Sequence, residues 1–155
     1  MIDPSRMLKD YILAPAHVGF VVENIDLAIE QACRLYGVSS DAVRYEPAPG
    51  VKAPTRFAFF SVGGLEFEYI EPCDEYFREL LLASPSGGGG INHVAWKVRD
   101  IESAVKLAAS HGVIPGYVTP DGVITIGSKR MVYLDPASTG GLLVELIEEL
   151  DADIE

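Results

Sequence analysis

The amino-acid sequence contains one pattern twice, and this internal repeat constrains the fold more than any other feature. Residues 17–28 and residues 93–104 share His, Val, Val, Ile and Ala at the same places. The correspondence continues without a gap to Ala32 and Ala108. Self-similarity of this kind is typical of a fold built from duplicated units.

The ends of the two halves correspond as well. Leu-Glu-Phe-Glu ends at Glu68 in the first half, and Leu-Leu-Val-Glu ends at Glu145 in the second. Each half therefore begins with a histidine, His17 or His93, and ends with a glutamate.

Each half is predicted to contain a strand, a helix and about three further strands. The apolar run that starts at each histidine favours a strand. Asn24 and Asp100 are N-cap candidates before apolar residues at helical spacing, and Gly37 and Gly112 are candidate helix stops. The further strands are predicted over residues 56–62, 65–70, 123–126, 131–134 and 142–147.

Residues of metal-ligand type stand at the repeat-related positions. Two βαβββ modules related by a pseudo-twofold axis bring the first and last strand of each half to one concave sheet surface, which makes His17, Glu68, His93 and Glu145 candidate ligands. Two neutral imidazoles and two carboxylates cancel the charge of a divalent ion, and a cation offsets the cost of burying the carboxylates. The alternative is that these residues simply begin and end edge strands.

The chemistry of such a site follows from its open positions. A six-coordinate ion with four protein ligands leaves two positions for a substrate. There it polarises a carbonyl and stabilises the enolate that forms when a neighbouring C–H is deprotonated. The ligand set suits cobalt, manganese, nickel or zinc and does not choose among them.

The predicted fold class is α+β, with two tandem βαβββ modules that form a curved mixed sheet around the metal site. The chain is predicted to be a single domain over residues 1–155, with module one over 16–72 and module two over 92–149. A connecting helix and a Gly-rich linker fill residues 73–91. The glycine run precedes a strand, which favours a flexible connector over a phosphate loop.

The charge balance limits the partners. The chain has 12 Lys and Arg against 23 Asp and Glu, giving a formal charge of -11. A surface of this sign repels phosphate backbones and anionic lipid headgroups, so neither nucleic acid nor membrane is an expected partner. The opening residues lack a signal-peptide pattern, and no apolar run has the length of a membrane span, which predicts a cytoplasmic protein.

The repeat resembles the vicinal oxygen chelate superfamily, which includes glyoxalase I, extradiol dioxygenases and bleomycin-resistance proteins. The resemblance covers residues 16–148 and implies a glyoxalase-like fold. Within the superfamily the methylmalonyl-CoA epimerase family is the most similar: residues 90–95 resemble its Gly-Leu-His-His-Ile-Ala stretch. Residues 135–146 resemble its His-Pro-Lys-Ser-x-Gly-Gly-Val-Leu-Ile-Glu-Leu stretch.

This resemblance implies roles for single residues. The family's metal ligands fall on His17, Glu68, His93 and Glu145, and Glu145 inherits the role of the base that removes the α-proton of a malonyl-type thioester. The family's second glutamate lies in a Pro-Glu-x-Gly-Val segment, where this chain has Ala48. Glu46, two residues earlier, is the candidate substitute as the second catalytic base.

Two further departures bear on the substrate. Asp135 and Ala137 stand where the family commonly has His and Lys, which weakens attraction for a polyphosphate such as coenzyme A. Lys129 and Arg130 are candidates for binding an anion, or else residues of a solvated hairpin tip.

The resemblance implies a divalent-metal-dependent isomerase or lyase that abstracts a proton next to a carbonyl. The implied substrate is a small molecule, with an acyl-CoA as the candidate, and a homodimer is expected. Two alternatives stay open: a lyase of the glyoxalase I type, which shares the ligand set, and a small-molecule binding or resistance protein of the same fold.

Overall fold

The computed structural model describes residue 3, residues 5–85 and residues 89–150. Within these residues the chain has three α-helices and eight strands. They are β1 (Ile12–Val21), α1 (Ile25–Tyr36), β2 (Arg44–Glu46), β3 (Thr55–Val62), β4 (Leu65–Pro72), α2 (Glu75–Leu82), β5 (Gly90–Val98), α3 (Ile101–Ser110), β6 (Ile124–Ile126), β7 (Lys129–Leu134) and β8 (Val144–Glu149). The order βαβββ occurs twice, so the predicted fold class is confirmed. The sequence did not predict β2 or the first five residues of β1.

The starts of α1 and α3 and the end of α1 follow the predicted capping residues. The Asn24 side chain accepts a hydrogen bond from the Leu27 backbone N–H, and Asp100 accepts one from the Ser103 N–H. Gly37 ends α1 in the left-handed region with a φ of 71°. Such a conformation is inexpensive only for a residue without Cβ.

The chain forms two compact units. One comprises residues 17–93, and the other comprises residues 1–16 with 94–155, so the boundary passes through β1 and β5. Helix α2 lies in the segment predicted to connect the modules, whereas residues 86–88 of the predicted Gly-rich linker lie outside the described residues.

In the unit of residues 17–93 the strands follow the order β2-β3-β4-β1-β5. β4 runs parallel to β1 and antiparallel to β3. Helix α1 packs against the face of β3 that carries Ala58 and Phe60, and Ile25 and Ile29 are buried there. Since side chains alternate along a strand, Phe57 and Phe59 lie on the other face.

In the second unit the strands follow the order β1-β5-β8-β7-β6. β5 runs parallel to β8, as β1 does to β4. Helix α3 packs on the face that carries Val132, Leu134 and Leu146, each of them at most 2% exposed. Tyr133 and Glu145, which alternate with these residues, therefore lie on the face away from α3.

Among the described residues, no helix is both long enough and apolar enough to cross a membrane.

Candidate metal centre

Three of the predicted ligands converge within the unit of residues 17–93. The Nε2 atoms of His17 and His93 lie 2.9 Å apart. Nε2 of His17 lies 3.5 Å from Oε2 of Glu68, and Nε2 of His93 lies 3.5 Å from Oε1 of the same carboxylate. All three residues are buried, with exposures of 7%, 1% and 8% for His17, His93 and Glu68. Two imidazoles and one carboxylate thus share one small, buried volume.

Asn92 fixes the orientation of the His93 ring. The Asn92 Oδ1 atom lies 2.7 Å from Nδ1 of His93, and Asn92 is itself 4% exposed. An amide oxygen only accepts, so Nδ1 carries a hydrogen, and in the neutral ring Nε2 then keeps its lone pair. The lone pair is then on the nitrogen that lies beside His17 and Glu68, which is the usual arrangement behind a metal-binding histidine.

Gly19 supplies the space for the His93 ring. A Cβ built on Gly19 lies 2.3 Å from Cε1 of His93 and 2.6 Å from Nδ1. Ordinary contacts to a Cβ are well above 3 Å, so the imidazole occupies the volume that any larger residue at 19 requires. Gly19 pairs with Glu68 across the parallel strands β1 and β4, which sets it on the face where the ligands meet.

A row of residues continues from Glu68 to the edge of this unit's sheet. Glu68 pairs with Phe59 on β3, and Phe59 pairs with Arg44 on β2. The Phe59 ring meets the His17 ring edge-on, with 6.2 Å between their centroids. The Arg44 guanidinium carbon lies 4.5 Å from the centre of the Phe59 ring. The candidate ligands His17, Glu68 and His93, which form the ligand cluster, therefore have an aromatic neighbour with a cation beyond it.

The donor set fits a divalent metal. An octahedral ion with ligands at roughly 2.1 Å sets neighbouring ligand atoms about 3.0 Å apart, and a tetrahedral ion sets them about 3.4 Å apart. The separations of 2.9 Å and 3.5 Å between the three side chains fall around this range. Nitrogen and carboxylate ligands together suit first-row transition metals and zinc.

Glu145 lies in the other unit, at the position that repeats Glu68. In the parallel pair β1 and β4, Glu68 is opposite Gly19, two residues after His17. In the parallel pair β5 and β8, Glu145 is opposite Ala95, two residues after His93. Glu145 is 5% exposed. The two glutamates thus have the same register and similar burial in the two modules.

Two further candidates, Glu46 and Arg130, lie on β2 and β7. Glu46 pairs with Phe57, so it shares the face of Phe59 and Glu68, and its Oε1 lies 3.5 Å from Nε of Arg44. Arg130 forms ion pairs with Glu148, at 3.5 Å, and with Glu102. These carboxylate partners favour a structural role for Arg130 over anion binding.

Sequence reasoning missed the roles of Asn92, Gly19 and Phe59. Gly19 lies two residues after His17 on the same strand, but its contact with a ring 74 residues away depends on the pairing of strands. The repeat offered one signal, since Ala95 and Gly19 occupy equivalent positions and both are small.

A cavity of about 530 Å³ is separate from the ligand cluster. Arg56 lines it and lies on the same face of β3 as Ala58 and Phe60, which is the face covered by α1. Its other lining residues are Asp26, Pro49, Gly50, Val51, Lys52, Ala53 and Cys73.

A family model for the Glyoxalase/Bleomycin resistance protein/Dioxygenase superfamily matches residues 16–131. The match covers more than half of the chain, and the chain belongs to this superfamily.

The chain is also similar to individual methylmalonyl-CoA epimerases. The mitochondrial methylmalonyl-CoA epimerase of Dictyostelium discoideum is 27% identical over 135 residues, which cover 86% of this chain and 76% of that protein. The crystal structure of methylmalonyl-CoA epimerase from Mycobacterium tuberculosis has a TM-score of 0.69 at 22% identity, covering 96% of this chain and 95% of that chain. A methylmalonyl-CoA epimerase in complex with methylmalonyl-CoA has a TM-score of 0.65 at 20% identity, covering 93% of this chain and 98% of that one. These likenesses confirm the predicted glyoxalase-like fold.

Proposed function

We propose that this chain is a divalent-metal-dependent isomerase that removes and returns a proton next to the carbonyl of an acyl thioester, of the methylmalonyl-CoA epimerase type. The observation that carries the proposal is the buried convergence of His17, His93 and Glu68, with 2.9 Å between the ring nitrogens and 3.5 Å from each to the carboxylate. Relatives named as methylmalonyl-CoA epimerases support the same reaction.

His17, Glu68 and His93 hold the metal in this proposal, and Glu145 supplies the fourth ligand. The shared register of Glu68 and Glu145 relative to the two histidines supports that choice. When bound, a cobalt, manganese, nickel or zinc ion supplies a Lewis acid that polarises the thioester carbonyl. Removing the α-proton then costs less, because the negative charge develops on the polarised oxygen.

Proton transfer is assigned to two glutamates. The Glu145 carboxylate takes the α-proton as the C–H bond breaks, and the electron pair passes to the carbonyl oxygen. Glu46, protonated beforehand, returns a proton to the opposite face of the α-carbon. Glu46 shares the sheet face of Glu68, and its side chain is 57% exposed, so its proton exchanges readily with water. The configuration at the α-carbon is thereby inverted.

The substrate we propose is an acyl-CoA that carries a carboxylate on its α-carbon. A homodimer and a cytoplasmic location are kept as predictions from the sequence. The molar mass of the protein in solution, measured by light scattering, tests the homodimer.

Label exchange tests the reaction. Metal-loaded protein is incubated with methylmalonyl-CoA in deuterated buffer, and deuterium at the α-carbon and loss of optical purity are followed together. We expect both in the wild-type protein. With the epimer whose α-proton faces Glu145 as substrate, Glu145→Gln loses both, because the base that opens this C–H bond is gone. Glu46→Gln keeps deuterium incorporation and loses racemisation, because the proton then returns to the face it left.

Glu66→Gln is the matched control. Glu66 lies on β4 two residues before Glu68 and shares its face, but it has no assigned part in proton transfer. Full activity in Glu145→Gln contradicts the proposal. Turnover of the methylglyoxal–glutathione adduct without turnover of methylmalonyl-CoA replaces it with the lyase alternative.

A further inference from the structure

Tyr117 has a backbone conformation that tyrosine seldom adopts. Its φ is 60°, and among the described residues no other residue except glycine has a positive φ. In this left-handed region a Cβ crowds the backbone, so glycine and asparagine are favoured and a bulky side chain is strained. Strained residues of this kind persist where the surroundings over-determine the backbone, and they concentrate at functional sites.

The chain on both sides of Tyr117 is fixed to β7. The Gly116 N–H donates to the Tyr133 carbonyl oxygen at 3.0 Å, and the Tyr133 N–H donates to Oγ1 of Thr119 at 2.8 Å. Thr119 is 2% exposed. A Cβ built on Gly116 lies 2.5 Å from Cβ of Asp135, so the segment packs tightly against the C-terminal end of β7. The neighbours of Tyr117, and not its own side chain, therefore impose its conformation.

The Tyr117 side chain lies on the side of the sheet that carries Glu145. The ring of Tyr117 meets the ring of Tyr133 at 5.5 Å between centroids and an angle of 69°. Tyr133 pairs directly with Glu145 across β7 and β8, on the face away from α3. Paired residues of antiparallel strands have Cβ atoms about 5 Å apart. Both tyrosines are partly exposed, so a ligand beside Glu145 can reach them.

We propose that Tyr117 is a specificity-determining residue that contacts the acyl group of the substrate, with its phenol hydroxyl donating a hydrogen bond to the substrate's α-carboxylate. This inference rests on the proposed function, since it needs a substrate held beside Glu145. A tyrosine supplies an apolar ring that excludes water from the proton transfer and one donor that recognises an anion. A residue chosen for stability alone at this backbone position is glycine or asparagine.

Three variants test the inference in the full-length, metal-loaded protein. Tyr117→Asn removes the ring while it suits the left-handed backbone, and Tyr117→Phe removes only the hydroxyl. Tyr76→Asn is the control, because Tyr76 is 69% exposed on α2. Thermal unfolding, the kcat and KM for methylmalonyl-CoA, and its binding by calorimetry are measured for each.

We expect Tyr117→Asn to unfold at the wild-type temperature or above it and to lose at least about tenfold in kcat/KM. Tyr117→Phe is expected to lose about fivefold, mostly through a higher KM, as for one lost hydrogen bond. Tyr76→Asn keeps the wild-type kcat/KM.

The opposite results are distinguishable. A lower unfolding temperature of Tyr117→Asn with unchanged kcat/KM assigns Tyr117 a packing role and overturns the inference, and so does unchanged kcat/KM in both Tyr117 variants. If the wild-type protein binds methylmalonyl-CoA without exchanging its α-proton, the proposed function fails and the affinities of the same variants decide the role of Tyr117. If it neither binds nor exchanges, both proposals are overturned.

Discussion

The carboxylate of Glu71, near the end of β4, accepts a hydrogen bond from the backbone N–H of Ile25, the first residue of α1, at 2.6 Å. Arg56 joins the same contact: its Nη1 lies 3.6 Å from Glu71, and its Nη2 lies 3.4 Å from Asp26. A negative charge at the start of a helix accepts a hydrogen bond from an otherwise unpaired N–H and interacts favourably with the positive end of the helix dipole. We call this group, Glu71, Arg56 and Asp26, a clamp, because it fastens α1 to the strand that carries Glu68.

The second unit repeats the arrangement. Glu148 accepts a hydrogen bond from the Ile101 N–H at 3.2 Å, and Nη1 of Arg130 lies 3.5 Å from Glu148. Arg130 also pairs with Glu102, the counterpart of Asp26. Each clamp glutamate follows a proposed ligand glutamate by three residues, so the duplication preserved the support of the strand along with the ligand.

The clamp predicts a measurable coupling between Arg56 and Glu71. Their side chains are 22% and 19% exposed, so water screens them only in part. A double-mutant cycle with Arg56→Met and Glu71→Gln is expected to give a coupling of about 1 kcal/mol in urea unfolding. The exposed pair Arg34 and Glu30, although closer at 3.1 Å, is expected to give less than about 0.5 kcal/mol. Equal couplings contradict the assignment of the clamp as a stabilising contact.

The two helix caps predict a difference in pH dependence. The hydroxyl and then the backbone N–H of Ser103 hydrogen-bond Asp100 and hold its pKa below the ordinary value of 3.8. Its stabilising effect is therefore complete above that value and is lost as the pH falls through the lower, folded-state pKa. Asp100→Ala is expected to cost about 1 kcal/mol at pH 7 and less at pH values below about 4.

Asn24 provides the control, because it caps α1 in the same way without a titrating group. Asn24→Ala is expected to cost a similar free energy of unfolding at both pH values. If the two variants depend on pH alike, the charge on Asp100 contributes nothing beyond the cap itself.

Much of this architecture could be predicted from the sequence, because local signals carried it. Asn24 and Asp100 marked the helix starts, and the repeat of His and Glu marked strands that carry the proposed ligands. Strand β2 was missed because three residues provide too little alternation to detect. The contacts of Gly19 with His93 and of Tyr117 with Tyr133 were out of reach, since they depend on which strands and loops lie side by side.

Gly19→Ala is predicted to damage the ligand cluster without straining the backbone. The added methyl group displaces the His93 ring, which costs about 1–3 kcal/mol of stability and moves Nε2 away from Glu68. Cobalt affinity, measured by calorimetry, is expected to fall at least about tenfold. In a His93→Ala background the same substitution is expected to be nearly neutral in unfolding, because the ring is gone. An equal cost in both backgrounds means that residue 19 is crowded by something other than His93.

Metal binding itself is predicted to depend on Glu68 and not on Glu66. At a cobalt concentration one hundred times its dissociation constant, the wild-type protein is expected to gain about 2.7 kcal/mol, or roughly 5–10 °C in Tm. Glu68→Gln removes a negative ligand and is expected to lower the affinity by at least about tenfold, so about half of this gain or more disappears at the same cobalt concentration. Glu66→Gln loses the same charge from the same face of β4 and is expected to stay within about threefold of the wild type. Similar losses in the two variants mean that cobalt responds to the general negative charge of this face, and the assignment of Glu68 as a ligand is then wrong.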